Sequence, residues 1–193
     1  KIDVANMVTG ATPVANGGTG LTSGTSGQFL KFTGSTTVAS SAVSAGKVLQ
    51  VVNAVQSTEY TRTATSFGAS STGVTITPSA TSSKVLVEIH CGQLECGNRE
   101  GQGIDMKLVR SIGASDTDLI TQIHNNAGQF TNQSGNVYRS FTGHAGVSYL
   151  DSPNTTSATQ YRIYVKCVNT DTYIGVQMHS SSSTFTAMEI DGS

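Results

Sequence analysis

The chain has no tryptophan, only three prolines and only 12% charged residues among its 193. Its net charge is -1 and no basic run occurs anywhere, which removes the basic face that phosphate neutralisation requires. Nucleic acid is therefore not an expected partner. No apolar stretch approaches the ~20 residues of a spanning helix, so membrane insertion is not expected either. Three cysteines, Cys91, Cys96 and Cys167, are an odd number and do not form a disulfide framework. They fit assembly in a reducing cytosol. No signal peptide opens the sequence, and its first residue is Lys1 rather than Met, so it reads as a fragment of a longer polypeptide. A convincing helical stripe is also missing, which argues against a βαβ fold.

What is abundant is Ser, Thr and Gly, which together exceed a third of the chain. The character changes near Gly46. Residues 1–46 carry isolated apolar residues that form no continuous face at either the helical or the strand period. Such a segment buries too little to offset the entropy of ordering it alone. Its Gly clusters, Asn16-Gly17-Gly18-Thr19-Gly20 and Thr22–Gly27, suit repeated tight turns, and Phe29-Leu30-Lys31-Phe32 is too hydrophobic for a solvated linker. An extended, intertwined shaft segment is expected there, followed by a head domain over 47–193.

The head alternates at period two. Val85, Val87, Ile89 and Cys91 share one face of their strand, as do Ile104, Met106 and Leu108, then Tyr161, Ile163, Val165 and Cys167, then Ile174, Val176 and Met178. About ten such strands, separated by short Gly/Ser/Asn/Asp segments, predict an all-β, antiparallel, jelly-roll-like sandwich. Some strands are apolar on both faces. Val48-Leu49-Gln50-Val51-Val52 is one. The last strand is another, with Phe185 and Ala187 on one side and Met188 and Ile190 on the other; Tyr164 lies on the nominally outer side of its own strand. A second apolar face needs a second partner, so Val48, Val51, Val52, Tyr164, Phe185, Met188 and Ile190 are the expected trimer interface.

The residues also resemble a known family. Val14-Ala15-Asn16-Gly17-Gly18-Thr19-Gly20 is similar to the "NGGTG" element of bacteriophage tail-fibre shafts. Gly46–Val52 resembles the segment that opens the distal domain of such fibres, notably in marine phages. Ile76-Thr77-Pro78-Ser79-Ala80-Thr81-Ser82-Ser83-Lys84, Tyr149-Leu150-Asp151-Ser152-Pro153-Asn154-Thr155-Thr156-Ser157-Ala158-Thr159 and the closing Thr186-Ala187-Met188-Glu189-Ile190 resemble further stretches of that domain, in the same order. The resemblance implies a homotrimeric fibre end in the virion, assembled in the host bacterial cytoplasm, joined to upstream fibre and tail proteins, and directed at a host cell-surface glycan, such as lipopolysaccharide, or an outer-membrane receptor.

Catalysis is not expected. The acidic residues are scattered, without the marked pair that glycan cleavage uses, so a glycan-cleaving tailspike is the weaker reading. Asp116-Thr117-Asp118 lacks the further ligands of a calcium loop. His90 and Cys91 are adjacent on a strand and point to opposite faces, which breaks a zinc set. His124, His144 and His179 are single histidines; no metal and no cofactor is expected. Host contact is expected on loops. The long ones, Glu95–Gly103 and Asn125–Asn136, carry Asn98, Arg99, Gln102, Asn125, Asn126, Gln129, Phe130, Asn132 and Gln133, amides and an arginine suited to hydroxyl-rich or acidic glycans. An up-and-down strand count places these loops at one end and the turns Ser79–Ser83 and Asp151–Ala158 at the other. A structural trimerisation head without direct receptor contact is the alternative function.

Overall fold

The computed structural model describes residues 19, 21, 23–42, 47–70, 73–97, 103–125, 141–169 and 173–192. The chain divides into two compact units, Lys1–Ala45 and Gly46–Ser193. The described part of the first contains one antiparallel hairpin, β1 (Phe29–Phe32) with β2 (Val38–Ser41). Phe29, Leu30 and Phe32 are exposed on it.

The second unit is all-β. Its strands are β3 (Val48–Gln56), β4 (Tyr60–Arg62), β5 (Gly68–Ala69), β6 (Val74–Ile76), β7 (Lys84–His90), β8 (Leu94–Cys96), β9 (Ile104–Ile112), β10 (Ser115–Asn125), β11 (Phe141–Gly143), β12 (Gly146–Asp151), β13 (Thr159–Cys167), β14 (Ile174–Val176) and β15 (Ser183–Ile190). Several are halves of one traverse interrupted by a kink. β7 leads through residues 91–93 into β8, and β11, β14 and β3 lead likewise into β12, β15 and β4. The order β11-β8-β14-β4 repeats as β12-β7-β15-β3. The kink keeps its backbone paired: Cys91 N–H donates to Ala145 O at 2.7 Å and Met178 N–H to Gln93 O at 3.1 Å.

The second sheet runs β10-β9-β13-β5, with β6 also on β13. Counting the traverses β3/β4, β5/β6, β7/β8, β9, β10, β11/β12, β13 and β14/β15 as one to eight, the sheet orders are 6-3-8-1 and 5-4-7-2. That is the order of a jelly roll, and every pairing is antiparallel. The alternating residues meet between the sheets. Val85, Val87, Ile89, Phe185 and Ala187 from one face Met106, Leu108, Tyr161, Ile163 and Val165 from the other. Gly73, at φ +70°, makes the approach of β6 to β13 possible, since a Cβ there would stand 2.0 Å from the Tyr161 carbonyl oxygen.

Two local breaks have visible causes. β4 stops at Arg62, which turns back to donate from Nε to Ser66 O at 2.9 Å and holds a bend. β11 and β12 are separated at His144–Ala145, at the kink.

The traverse order fixes the ends of this unit. The ends of β4, β8, β10 and β13 and the starts of β5, β9, β11 and β14 share one end. Connections 77–83, 113–114 and 152–158 share the other, together with Lys47 and the last strand's exit, where Asp191 N–H donates to Lys47 O at 3.0 Å.

Candidate functional site

At the chain-entry end, strand register assembles residues distant in sequence into two rows on the same four strands. On the outer face, Leu150 pairs with Leu86, Leu86 with Met188, and Met188 with Val51. This apolar row crosses β12, β7, β15 and β3. Val48 and Leu49 extend it beside Ile190, at an irregularity in the β15–β3 register. Val51 is 57% exposed, Leu150 50% and Val48 53%, so the belt is uncovered on this chain. The next row, Asn53, Thr186, Glu88 and Ser148, is polar and ends it.

One residue over, the inner row is Asp151, Val85, Glu189 and Gln50. Its two carboxylates are buried and answered differently. Asp151 accepts two bonds from Arg110 Nη1 at 2.9 and 3.0 Å and one from the Tyr161 hydroxyl at 2.8 Å, so it ties the first sheet to β9 and β13 of the second. Burial, and next the Asp151 charge, push the Tyr161 phenol far above its ordinary range. Among the described residues Glu189 has no cation. Its Oε1 accepts from Ser79 N–H at 2.7 Å, Ser79 Oγ at 2.6 Å and Ser83 Oγ at 2.6 Å, and Oε2 accepts from Gln50 Nε2 at 2.6 Å. Burial pushes the Glu189 carboxyl up, yet these bonds together outweigh it and hold the pKa at about 2. The same Gln50 amide reaches Thr77 O at 2.7 Å. Glu189 thus fastens loop 77–83 to β15 and β3 directly beneath the outer belt.

The second sheet presents a different outer face. Lys107 pairs with Asp118 at 2.7 Å, Arg162 with Asp116 at 3.3 Å and Lys166 with Asp105 at 3.2 Å. Lys107 and Lys166 each lie 5.0 Å from the Phe67 ring centre, and Lys107 and Arg162 flank Tyr164. Asp116 accepts from Ser111 Oγ at 2.5 Å and from the Tyr164 hydroxyl at 2.5 Å, and these bonds hold its carboxyl below the ordinary range. Asp116 and Asp118 are therefore strand residues whose oxygens serve cations and hydroxyls of this same face.

At the opposite end, Glu95 on β8 is buried and takes two exposed side chains. The Tyr173 hydroxyl donates to Oε1 at 2.5 Å and His179 Nε2 lies 2.8 Å from Oε2. His179 N–H donates to Glu59 Oε1 at 2.8 Å. The bond to Glu95, then burial, raises the Tyr173 phenol.

Several expected interface residues stand elsewhere. Phe185 is 1% exposed and belongs to the core of its own unit, because β15 turns that face inward. Val52 also faces inward and packs on the core. Tyr164 lies on the second sheet, spent on Asp116 and two cations. Val48, Val51, Met188 and Ile190 share the outer face, joined there by Leu49, Leu86 and Leu150. Asn98, Arg99, Gln102, Asn126, Gln129, Phe130, Asn132 and Gln133 lie outside the described residues, and Asn125 ends β10. Cys91 is buried and burial pushes its thiol up to about 12, so it is an inert core residue. Among the described residues no group of three or more metal-type side chains converges.

No protein-family model and no curated protein matches the sequence. Similar solved structures include the VP2 subviral particle of infectious bursal disease virus, at 7% identity and a TM-score of 0.32, covering 83% of this chain and 42% of that one. The Gt strain of the same virus gives 7% identity and a TM-score of 0.28, over 83% of this chain and 43% of that one. The chain thus spans less than half the length of these structures, and overlays this loose carry no argument.

Proposed function

We propose that this chain is the tip of a bacteriophage tail fibre: a homotrimeric, non-enzymatic virion module that mediates adsorption to the host surface. The observation that carries the reading is the outer belt of Leu150, Leu86, Met188 and Val51. An uncovered apolar row across four strands, with an apolar edge strand β3, is what a subunit interface needs and what a lone soluble chain avoids. The belt sits at the chain-entry end, which leaves the opposite end of the unit for host contact through glycan or an outer-membrane receptor. The tail-fibre motifs agree with this division. Serines of the Ile76–Lys84 stretch and Glu189 of the closing stretch bond each other beneath the belt, and Asp151 of the third stretch pairs with Arg110 and Tyr161. The same belt also serves the alternative, a trimerisation head without receptor contact.

Two measurements test the reading. Light scattering should give three times the 20.0 kDa chain mass. Purified protein added to host cells before phage should then block adsorption. A monomer contradicts the whole reading, and a trimer that leaves adsorption untouched selects the purely structural head.

A further inference from the structure

Tyr173 leads connection 168–173 into β14, and Gly97 N–H, at the start of connection 97–103, donates to its carbonyl at 2.8 Å. The residue is thus fixed at the end of the unit opposite Lys47. Tyr173 is 37% exposed although its hydroxyl is tied to Glu95. His179 has a side chain 64% exposed while its Nε2 is held on the other oxygen of the same carboxylate, whose own side chain is 8% exposed. Exposed rings ordinarily sample several rotamers; here one buried carboxylate holds two of them.

The backbone supports the same geometry. Gln177, His179 and Ser180, three of the four non-glycine residues at positive φ among those described, fall in one turn at 57°, 54° and 61°. Strain of this kind persists only where its surroundings hold it, and functional sites are where it concentrates. Gln177 is buried against Ser183 Oγ at 2.6 Å, and His179 N–H is bonded to Glu59. Gly175 leaves room for Met178, whose Sδ stands 2.3 Å from where a Cβ would be, so Met178 packs beside Glu95's cross-strand partner.

We infer that Tyr173 and His179, locked by Glu95, form a binding subsite for a neutral, hydroxyl-rich sugar. This rests on the fibre-tip reading and names the ligand class at its contact end. Ring faces stack on the apolar face of a pyranose, and the Oε2 of Glu59 can accept a sugar hydroxyl. Two carboxylates, Glu59 and Glu95, against one histidine disfavour sialylated or phosphorylated sugars.

The test is saturation-transfer NMR on the full chain, with methyl glycosides of glucose, galactose, mannose and N-acetylglucosamine as neutral probes and sialyllactose as the anionic one. At least one neutral glycoside should receive transfer, reduced roughly fivefold in Tyr173→Ala and in His179→Ala. Tyr173→Phe keeps the ring but frees it from Glu95 and should fall between. Transfer to no neutral probe, transfer to sialyllactose alone, or equal transfer in wild type and a folded His179→Ala overturns the inference. The fibre-tip reading is scored separately. If wild type blocks adsorption and the two alanine variants block it equally well, that reading stands and this subsite falls. If wild type does not block, host contact falls whatever the glycosides do.

Discussion

The two sheets bury similar apolar inner faces and turn opposite outer ones to the surroundings. The outer face of β9, β10 and β13 carries Lys107, Arg162 and Lys166 against Asp105, Asp116 and Asp118, with Phe67 and Tyr164 set between the cations. Every charge there has a partner on the same face, which leaves little to offer another subunit. The outer face of β12, β7, β15 and β3 carries Leu150, Leu86, Met188 and Val51 in one row, with Leu150 and Val51 exposed at its ends. A sheet neutralised by its own side chains is finished; a sheet with an open apolar row is, on the reading proposed above, half of an interface. The strands β9, β10 and β13 carry seven charged residues where β3, β7, β12 and β15 carry four, and the register aligns each set into a row.

Changes to the seam that joins the sheets should cost most, because it supports both faces. Asp151→Ala leaves Arg110, largely but not fully buried and already with an unpartnered Nε, facing Tyr161 without a counter-charge. Breaking a buried pair in this way costs about 3–5 kcal/mol, measurable by urea unfolding. Next comes Glu189→Gln, which can keep an oxygen on the Ser79 and Ser83 donors only by setting its N–H2 against the Gln50 amide, and should cost about 2 kcal/mol.

The same carboxylate sets an acid limit on the apolar face. Its folded-state pKa of about 2 lies below the ordinary value of 4.5, so its contribution is present above about 4.5 and is lost as pH falls toward 2. Unfolding followed between pH 6 and 2 should show this loss in the wild type and a shallower one in Glu189→Gln. An unchanged slope would remove Glu189 from the account. The smallest effect belongs to the charged face. Lys107→Ala removes a pair whose Asp118 is well exposed and should cost under about 1 kcal/mol, with association unchanged. A change in subunit assembly from this substitution would erase the contrast between the faces.

Much of the fold is legible in the alternation itself. Val85, Val87 and Ile89, or Tyr161, Ile163 and Val165, declare a strand and its inner face without any partner. That β3 and β15 are apolar on two sides is legible too. Which side meets what is not. Phe185 and Met188 look equally fit for an interface until β15 is seated between β7 and β3, which sends Phe185 inward and Met188 outward. Tyr164 looked like an uncovered apolar ring because Asp116 lies 48 positions away in sequence and only the β9–β10 hairpin brings it near. The same limit hid Glu189, whose serine partners stand 110 and 106 positions away, and Glu95, 84 positions from His179. Polar partnerships between sheets and across kinks are matters of register, and period-two patterns carry no register.

The account turns on whether the apolar row is where copies of this chain meet. The direct measurement is the solution mass of the full chain by light scattering, for the wild type, for Val51→Asp with Met188→Asp, and for Asp118→Ala as the charged-face control. The wild type and the control should scatter as three chains, and the double variant should dissociate to a folded single chain, since two buried unpaired carboxylates in each interface cannot be tolerated. A wild type that is a single chain, or a double variant that keeps the wild-type mass, contradicts the account.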